Sequence, residues 1–166
     1  SRQKSEKSRA RQMRKAKELA ALLGVSGVLF PDRLTVFDAC GGAGHIGFAI
    51  HRLRAERGFS TRSVCVDMEH TEERRFRHFR DRVAPGAEAF FVAANVANYP
   101  FARVDGRTVV VAKHACGSAS EFLVNRMNGL RGDRLPDSSV VMTCCHAKGI
   151  ECSTFDPRLS QTGITR

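Results

Sequence analysis

Seven residues, Asp38-Ala39-Cys40-Gly41-Gly42-Ala43-Gly44, join a short apolar run to a helical pattern and put three glycines where the chain leaves a strand. Such a turn lets the backbone come close to a ligand and aims the first amides of the next helix at it. A second acid, Asp67, stands 29 residues after Asp38 at the end of the next apolar run. A carboxylate there can accept hydrogen bonds from both ribose hydroxyls of a nucleoside cofactor. Two cofactors compete for this pattern. A dinucleotide site calls for G-x-G-x-x-G to seat a pyrophosphate, whereas this chain has D-x-x-G-G-x-G, with an acid where the ammonium group of S-adenosylmethionine would lie. The pattern favours the methyl donor, with Asp38, Gly41, Gly42, Gly44 and Asp67 around it. The plain alternative is a glycine turn that only lets a strand and a helix pack closely.

These residues need a scaffold that ends several strands side by side. Leu34-Thr-Val-Phe-Asp38 and Ser63-Val-Cys-Val-Asp67 read as short strands, each followed by a helix, over Ile46 to Arg57 and Thr71 to Val83. In the second helix Phe76, Phe79 and Val83 share one face, while Glu72/Arg75 and Glu73/Arg77 can pair on the solvent side. Ala87 to Val96, Thr108 to Ala112 and Ser139 to Cys144 supply three more strands, with a helix over Ser118 to Met127. Gly129 to Pro136 reads as a loop, and no internal repeat is visible. Strands alternating with helices, and the continuous run Val109-Val110-Val111, predict an α/β, doubly wound, Rossmann-like fold whose mostly parallel sheet carries helices on both faces.

The 166 residues have room for one domain with a short arm. Hydrophobic residues at 42% and charged residues at 27%, with a mean hydropathy of -0.27, exclude collagen-like, wholly disordered and membrane-spanning classes. Against that ordinary background stand 27 Lys and Arg and only 17 Asp and Glu, a net charge of +10. An anionic partner follows, with nucleic acid ahead of an anionic membrane surface. Six of the ten net charges sit between Ser1 and Ala20, on Arg2, Lys4, Lys7, Arg9, Arg11, Arg14, Lys15 and Lys17 against Glu6 and Glu18. The reading is therefore a basic helical arm, residues 1–24, before a domain over residues 25–166. Met13, Ala16, Ala20 and Leu23 give the arm a thin apolar stripe that Gly24 ends. It either lies along RNA phosphates or is a solvated extension that packs only its last turn; a remnant of an organelle-targeting segment is a third option. Six cysteines in a chain that can fold unaided point to a reducing, intracellular compartment, with cytoplasm, nucleus and mitochondrion left open. A start at Ser1 without Met is expected of a processed, truncated or partial sequence.

Val111-Ala-Lys113-His114-Ala-Cys116-Gly117-Ser-Ala-Ser120-Glu121 resembles the K-H-x-C-G-x-A-[ST]-[DE] motif of the eukaryotic tRNA acceptor-stem 2′-O-methyltransferases and their methyltransferase-domain relatives. Thr143-Cys144-Cys145-His146 is similar to the C-C-H segment that ends the fifth strand of that family. The resemblance runs from about Leu34 to His146. It implies a class I methyltransferase that binds S-adenosylmethionine, with Gly41, Gly42 and Gly44 near the methionine part, Asp67 at the ribose and Asn95 against the adenine. It also implies an RNA ribose hydroxyl as acceptor, in tRNA or rRNA, and RNA modification as the activity. The chain departs from the family where Cys40 replaces a third glycine and Ala147 a second histidine. The family's domain continues through two further strands beyond Cys145, so the reading expects either a truncated sequence or a reduced domain that relies on a protein partner.

Methyl transfer to a 2′-hydroxyl needs in-line geometry and a base for the hydroxyl proton. Candidates are His114 as base, Lys113 to orient the acceptor or hold phosphate, and His146 approaching from the end of the fifth strand. Each can equally be a hydrogen-bonded scaffold residue. Zinc is a further alternative, since His114, Cys116, Cys144, Cys145, His146 and Cys152 could supply ligands, but no C-x-x-C pair occurs and adjacent Cys144 and Cys145 would face opposite sides of a strand. The expectation is no metal. The rival to an enzyme is a methyltransferase-like fold that no longer catalyses and binds RNA within a ribonucleoprotein or its assembly intermediate.

Overall fold

A computed structural model of the chain describes residues 33–104, 106–113, 115 and 118–142, together with residues 13, 17, 20, 21, 23 and 24 of the arm. Strands β1 (Leu34–Ala39), β2 (Thr61–Asp67), β3 (Glu88–Ala93), β4 (Arg107–Ala112) and β5 (Ser138–Val141) form one sheet in the order β3-β2-β1-β4-β5. Every pairing is parallel. Helices α1 (His45–Ala55), α2 (Thr71–Val83) and α3 (Ser118–Gly129) cover it. This is the expected Rossmann-like α/β fold.

Strand alternation divides the core in two. Leu34, Val36, Val109 and Val111 meet Ile46 and Ile50 of α1, and beside them Cys65 and Ala89 meet Phe48 of α1 and Phe76 of α2. On the opposite face Phe37, Ala39, Val64, Val66, Val110 and Ala112 meet Leu123 and Met127 of α3. The central strands β1 and β4 thus bury both faces, which is why their sequences are apolar without alternation. The sequence order of strands reverses between β1 and β4, and there the carboxyl ends of an open α/β sheet form a ligand crevice.

Register carries the most consequence for function. Asp38 pairs with Cys65, and Ala39 with Val66. Asp67 therefore stands two residues further along its strand than Asp38, roughly 6.6 Å nearer the open end.

At the opposite end of the sheet Arg54 is fully buried. Its Nε donates to Thr61 Oγ1 at 2.8 Å and another guanidinium nitrogen donates to the Ser60 carbonyl at 2.9 Å, while the Phe59 ring lies 5.4 Å away. The end of α1 is thereby tied to the start of β2. Thr108 and Asp137 tie β5 to β4 in a similar way, the Thr108 N–H donating to Asp137 Oδ2 at 2.7 Å and the Asp137 N–H to the Thr108 carbonyl at 2.8 Å.

The third strand ends at Ala93, short of the Val96 expected. Asn95 accounts for the stop, because its Oδ1 accepts the Ala97 N–H at 2.9 Å and its carbonyl accepts the Asn98 N–H at 3.0 Å. The pairs Glu72–Arg75 and Glu73–Arg77 form at 2.6 Å each. Residues 13, 17, 20, 21, 23 and 24 of the arm are helical. Leu23 packs against the α1-side core, whereas Met13 is 57% exposed, so of the described stripe residues only the last reaches the body.

Candidate functional site

The glycine turn is held from three sides. The Cys40 N–H donates to the Val66 carbonyl at 2.8 Å and fastens the turn to β2. Gly42, at φ 55°, turns its N–H onto Asp67 Oδ2 at 2.9 Å. Gly44 begins α1 where a Cβ would come within 2.7 Å of the Phe76 ring, so its missing side chain lets α2 approach. Gly41 lies over Asp38 and Cys65, whose side chains a Cβ would meet at 2.7 and 2.8 Å. Cys40 has the left-handed φ of 55° without being glycine, alone in this among the described residues. That conformation costs an L-residue about 1–2 kcal/mol.

Asp67 sits at the open end of β2. Oδ2 takes the Gly42 N–H, and Oδ1 takes the Glu69 N–H at 2.9 Å. Its carboxylate opens into a cleft of about 170 Å³ that Cys40, Met68, Asn95, Val96, Phe122 and the start of α3 also line. Met68 is 69% and Phe122 46% exposed, so two exposed apolar side chains border the polar groups of the cleft. The structure thus brings Asp67 and Asn95 to one cleft, with Gly42 joined to Asp67 through its N–H.

Asp38 is elsewhere. It is 1% exposed, and its Oδ2 accepts the Gly47 N–H at 3.0 Å within the first turn of α1. It lies among Gly44, Gly47, Phe48, Ser63, Cys65 and Phe76, beneath the turn and not in the cleft. There it caps the start of α1 from below. Burial pushes its carboxyl up to about 7, against the pull of the Gly47 and Ile46 amides and with a further push from Asp67. Burial also pushes the Cys65 thiol up, and its Sγ donates to the Gly42 carbonyl at 3.4 Å, which makes it an inert part of the floor.

Lys113 follows β4 directly and is 6% exposed. His114 and His146 lie outside the described residues, as do Cys116, Cys144, Cys145 and Cys152, so the zinc alternative falls there entirely. Among the described residues no three His, Cys, Asp or Glu side chains gather as a metal site would require. No helix among them is long and apolar enough to cross a membrane. Sequence reasoning missed Met68 and Phe122. The signal for Met68 was an apolar residue placed directly after a strand-ending acid. For Phe122 it was an aromatic one position off the Leu123–Met127 core stripe.

Comparison with known proteins places residues 9–151 in a family described as Methyltransferase domain. No protein of curated function matches. Among solved structures, a ribosomal protein L11 methylase from Lactobacillus delbrueckii subsp. bulgaricus is similar at 16% identity and a TM-score of 0.52, over 76% of this chain and 57% of that one. YjhP from E. coli is similar at 16% identity and TM-score 0.47, over 66% of this chain and 43% of its own. A SAM-dependent methyltransferase from Thiobacillus denitrificans, solved with S-adenosyl-L-homocysteine, is similar at 16% identity and TM-score 0.47, over 70% and 45%. The chain spans about half the length of these structures or less. At such identities the L11 methylase bears on the fold alone.

Proposed function

Because the chain belongs to the methyltransferase domain family, we propose that it transfers a methyl group from S-adenosylmethionine to a ribose 2′-hydroxyl of a structured RNA, a tRNA or an rRNA. The observation that carries the cofactor reading is Asp67, held by two backbone N–H groups at the floor of an open cleft. An ionised carboxylate has about four acceptor sites. Two are used, which leaves two directed outward for a ribose diol. Met68 and Phe122 offer apolar faces to an adenine ring, and Asn95 offers an amide to its edge. A cleft of about 170 Å³ is below the ~300–1,000 Å³ of pockets that enclose a whole ligand. It grips the nucleoside and leaves the reactive end towards β4 and the acceptor.

The donor set fits the cofactor, which supplies an electrophilic sulfonium methyl when bound. This chain's residues have the remaining tasks. Gly42 and Cys40 shape the wall, Asp38 holds the start of α1 beneath it, and Lys113, directly after β4, orients the acceptor or holds phosphate. The hydroxyl proton is assigned to His114, with His146 as the neighbouring candidate. The basic arm carries phosphate contacts to the RNA.

A second reading keeps the RNA and loses the catalysis, leaving an RNA-binding subunit of a ribonucleoprotein or its assembly intermediate. Its support is Cys40, a strained residue where the family has glycine. Calorimetric titration with S-adenosylmethionine separates the two. Binding is expected, weakened at least ~10-fold by Asp67→Ala, as for loss of hydrogen bonds to a charged group. No heat at millimolar ligand would reject the enzyme, and an unchanged affinity in Asp67→Ala would reject the ribose site.

A further inference from the structure

The glycine turn borders a second concavity. Cys40 lines the cofactor cleft, whereas Ala43, three residues on, lines a groove of about 510 Å³ with His45 of α1 and Arg74, Arg75, His78 and Phe79 of α2. We propose that this groove holds a single-stranded segment of the RNA, with phosphates on Arg74, Arg75 and His78 and a base against the Phe79–His45 rings. The inference rests on RNA as the acceptor and adds a path for it outside the basic arm.

Charge is the first argument. No acid lines the groove. Arg74 and His78 are exposed and form no ion pair or hydrogen bond among the described residues. Arg75 is paired with Glu72 through one nitrogen and its side chain stays 70% exposed, which leaves donors over for a phosphate. One helical turn beyond His78 comes Arg82, also exposed and with no side-chain partner among the described residues. Arg74, His78 and Arg82 therefore form a stripe about 12 Å long on one face of α2. Elsewhere on α2 the cations are neutralised locally, Arg77 by Glu73 and Arg80 by Asp81. The unpaired positive charge is concentrated on the side that the groove opens to.

The rings are the second argument. His45 and Phe79 lie 4.7 Å apart, tilted by 57°, and His45 is exposed while Phe79 is half-buried. A cationic groove with an aromatic wall is how sequence-tolerant single-strand binding is built, since any base has a face to stack. An acidic peptide would use the charge and leave the rings idle. Position is the third argument, because the groove and the cleft share the two walls of one turn. A strand lying in the groove runs along the α2 side of the turn, one residue from Gly42, whose N–H meets Asp67.

The test is fluorescence anisotropy of a labelled 12-nucleotide single-stranded RNA with the full chain at several salt concentrations. Arg74→Glu/Arg75→Glu should weaken binding at least ~10-fold and flatten the plot of log K against log salt by about 1.4, two phosphates at ~0.7 each. Arg52→Glu/Arg57→Glu, the same charge change at the other end of α1, should cost less than threefold. His45→Ala should weaken binding while leaving the salt slope unchanged. Equal losses in the two double variants, displacement of the RNA by polyglutamate of equal charge, or no RNA binding by the unaltered chain would each overturn the proposal. Calorimetry with S-adenosylhomocysteine on the same proteins keeps the two readings apart. Loss of RNA binding with silent calorimetry sinks only the cofactor reading, whereas intact calorimetry with unaltered RNA binding sinks only the groove.

Discussion

At the end of β1 the carboxyl group of Asp38 is buried under α1, while at the end of the neighbouring β2 that of Asp67 is half-exposed in a cleft. The two residues have the same chemistry and the same strand-terminal place in sequence. Both receive backbone N–H groups, Asp38 from Gly47 and Asp67 from Gly42 and Glu69. What differs is a two-residue offset in register. It leaves one acid within the packed layer and pushes the other past it, where water and ligands reach. An acid short of the sheet edge is enclosed by packing, and one beyond it stays accessible.

The strongest way to test that contrast is pH. The folded Asp38 titrates near 7 against 3.8 for the free side chain, so between these values the folded state binds more protons than the unfolded one. Stability must therefore fall as pH rises through that window, by an amount on the order of 4 kcal/mol, and level off above it. Urea denaturation from pH 4 to 8 should show this decline in the unaltered protein and a much flatter profile in Asp38→Asn. Parallel profiles would mean that Asp38 is solvated. A smaller effect is expected at the second acid: Asp67→Ala should lower stability by only about 1.5 kcal/mol, because water can replace a half-exposed acceptor, while abolishing most of the cofactor affinity. A larger stability loss in urea would make Asp67 a scaffold residue too. Smallest is the residue between the two strand ends. Cys40→Gly should relieve the left-handed backbone and raise the denaturation midpoint by an increment worth up to ~1 kcal/mol, and a drop would show that the thiol is held by contacts that outweigh the strain.

Much of this architecture was legible in the residues themselves. The run Val109 to Val111 foretold a strand buried on both faces, and the glycines after Asp38 marked the turn into α1. Asp67 was singled out from its strand end and Asn95 from the family resemblance, and both line the cleft. The burial of Asp38 was not legible because residue spacing counts positions along one strand, whereas burial depends on how two strands are offset. A partial clue existed, since Asp38 shares strand parity with Leu34 and Val36 and so with the face that α1 covers. The groove on α2 was hidden for a different reason. Arg74 and Arg75 read as ordinary charges of a solvated helix, and only the approach of Ala43 and His45 from the turn makes a wall opposite them.

The position of β1 also bears on how the chain comes off the ribosome. Its Leu34 pairs with Thr61 on one side and with Arg107 on the other, so the second partner is 73 residues downstream. At ~5–20 residues per second, synthesis takes roughly 4 to 15 s to deliver it. Throughout that interval the strand that will be the most enclosed in the finished sheet presents an open, apolar edge. Its last neighbour to be made, β4, leads directly into Lys113, so the edge closes and that residue is buried in the same event.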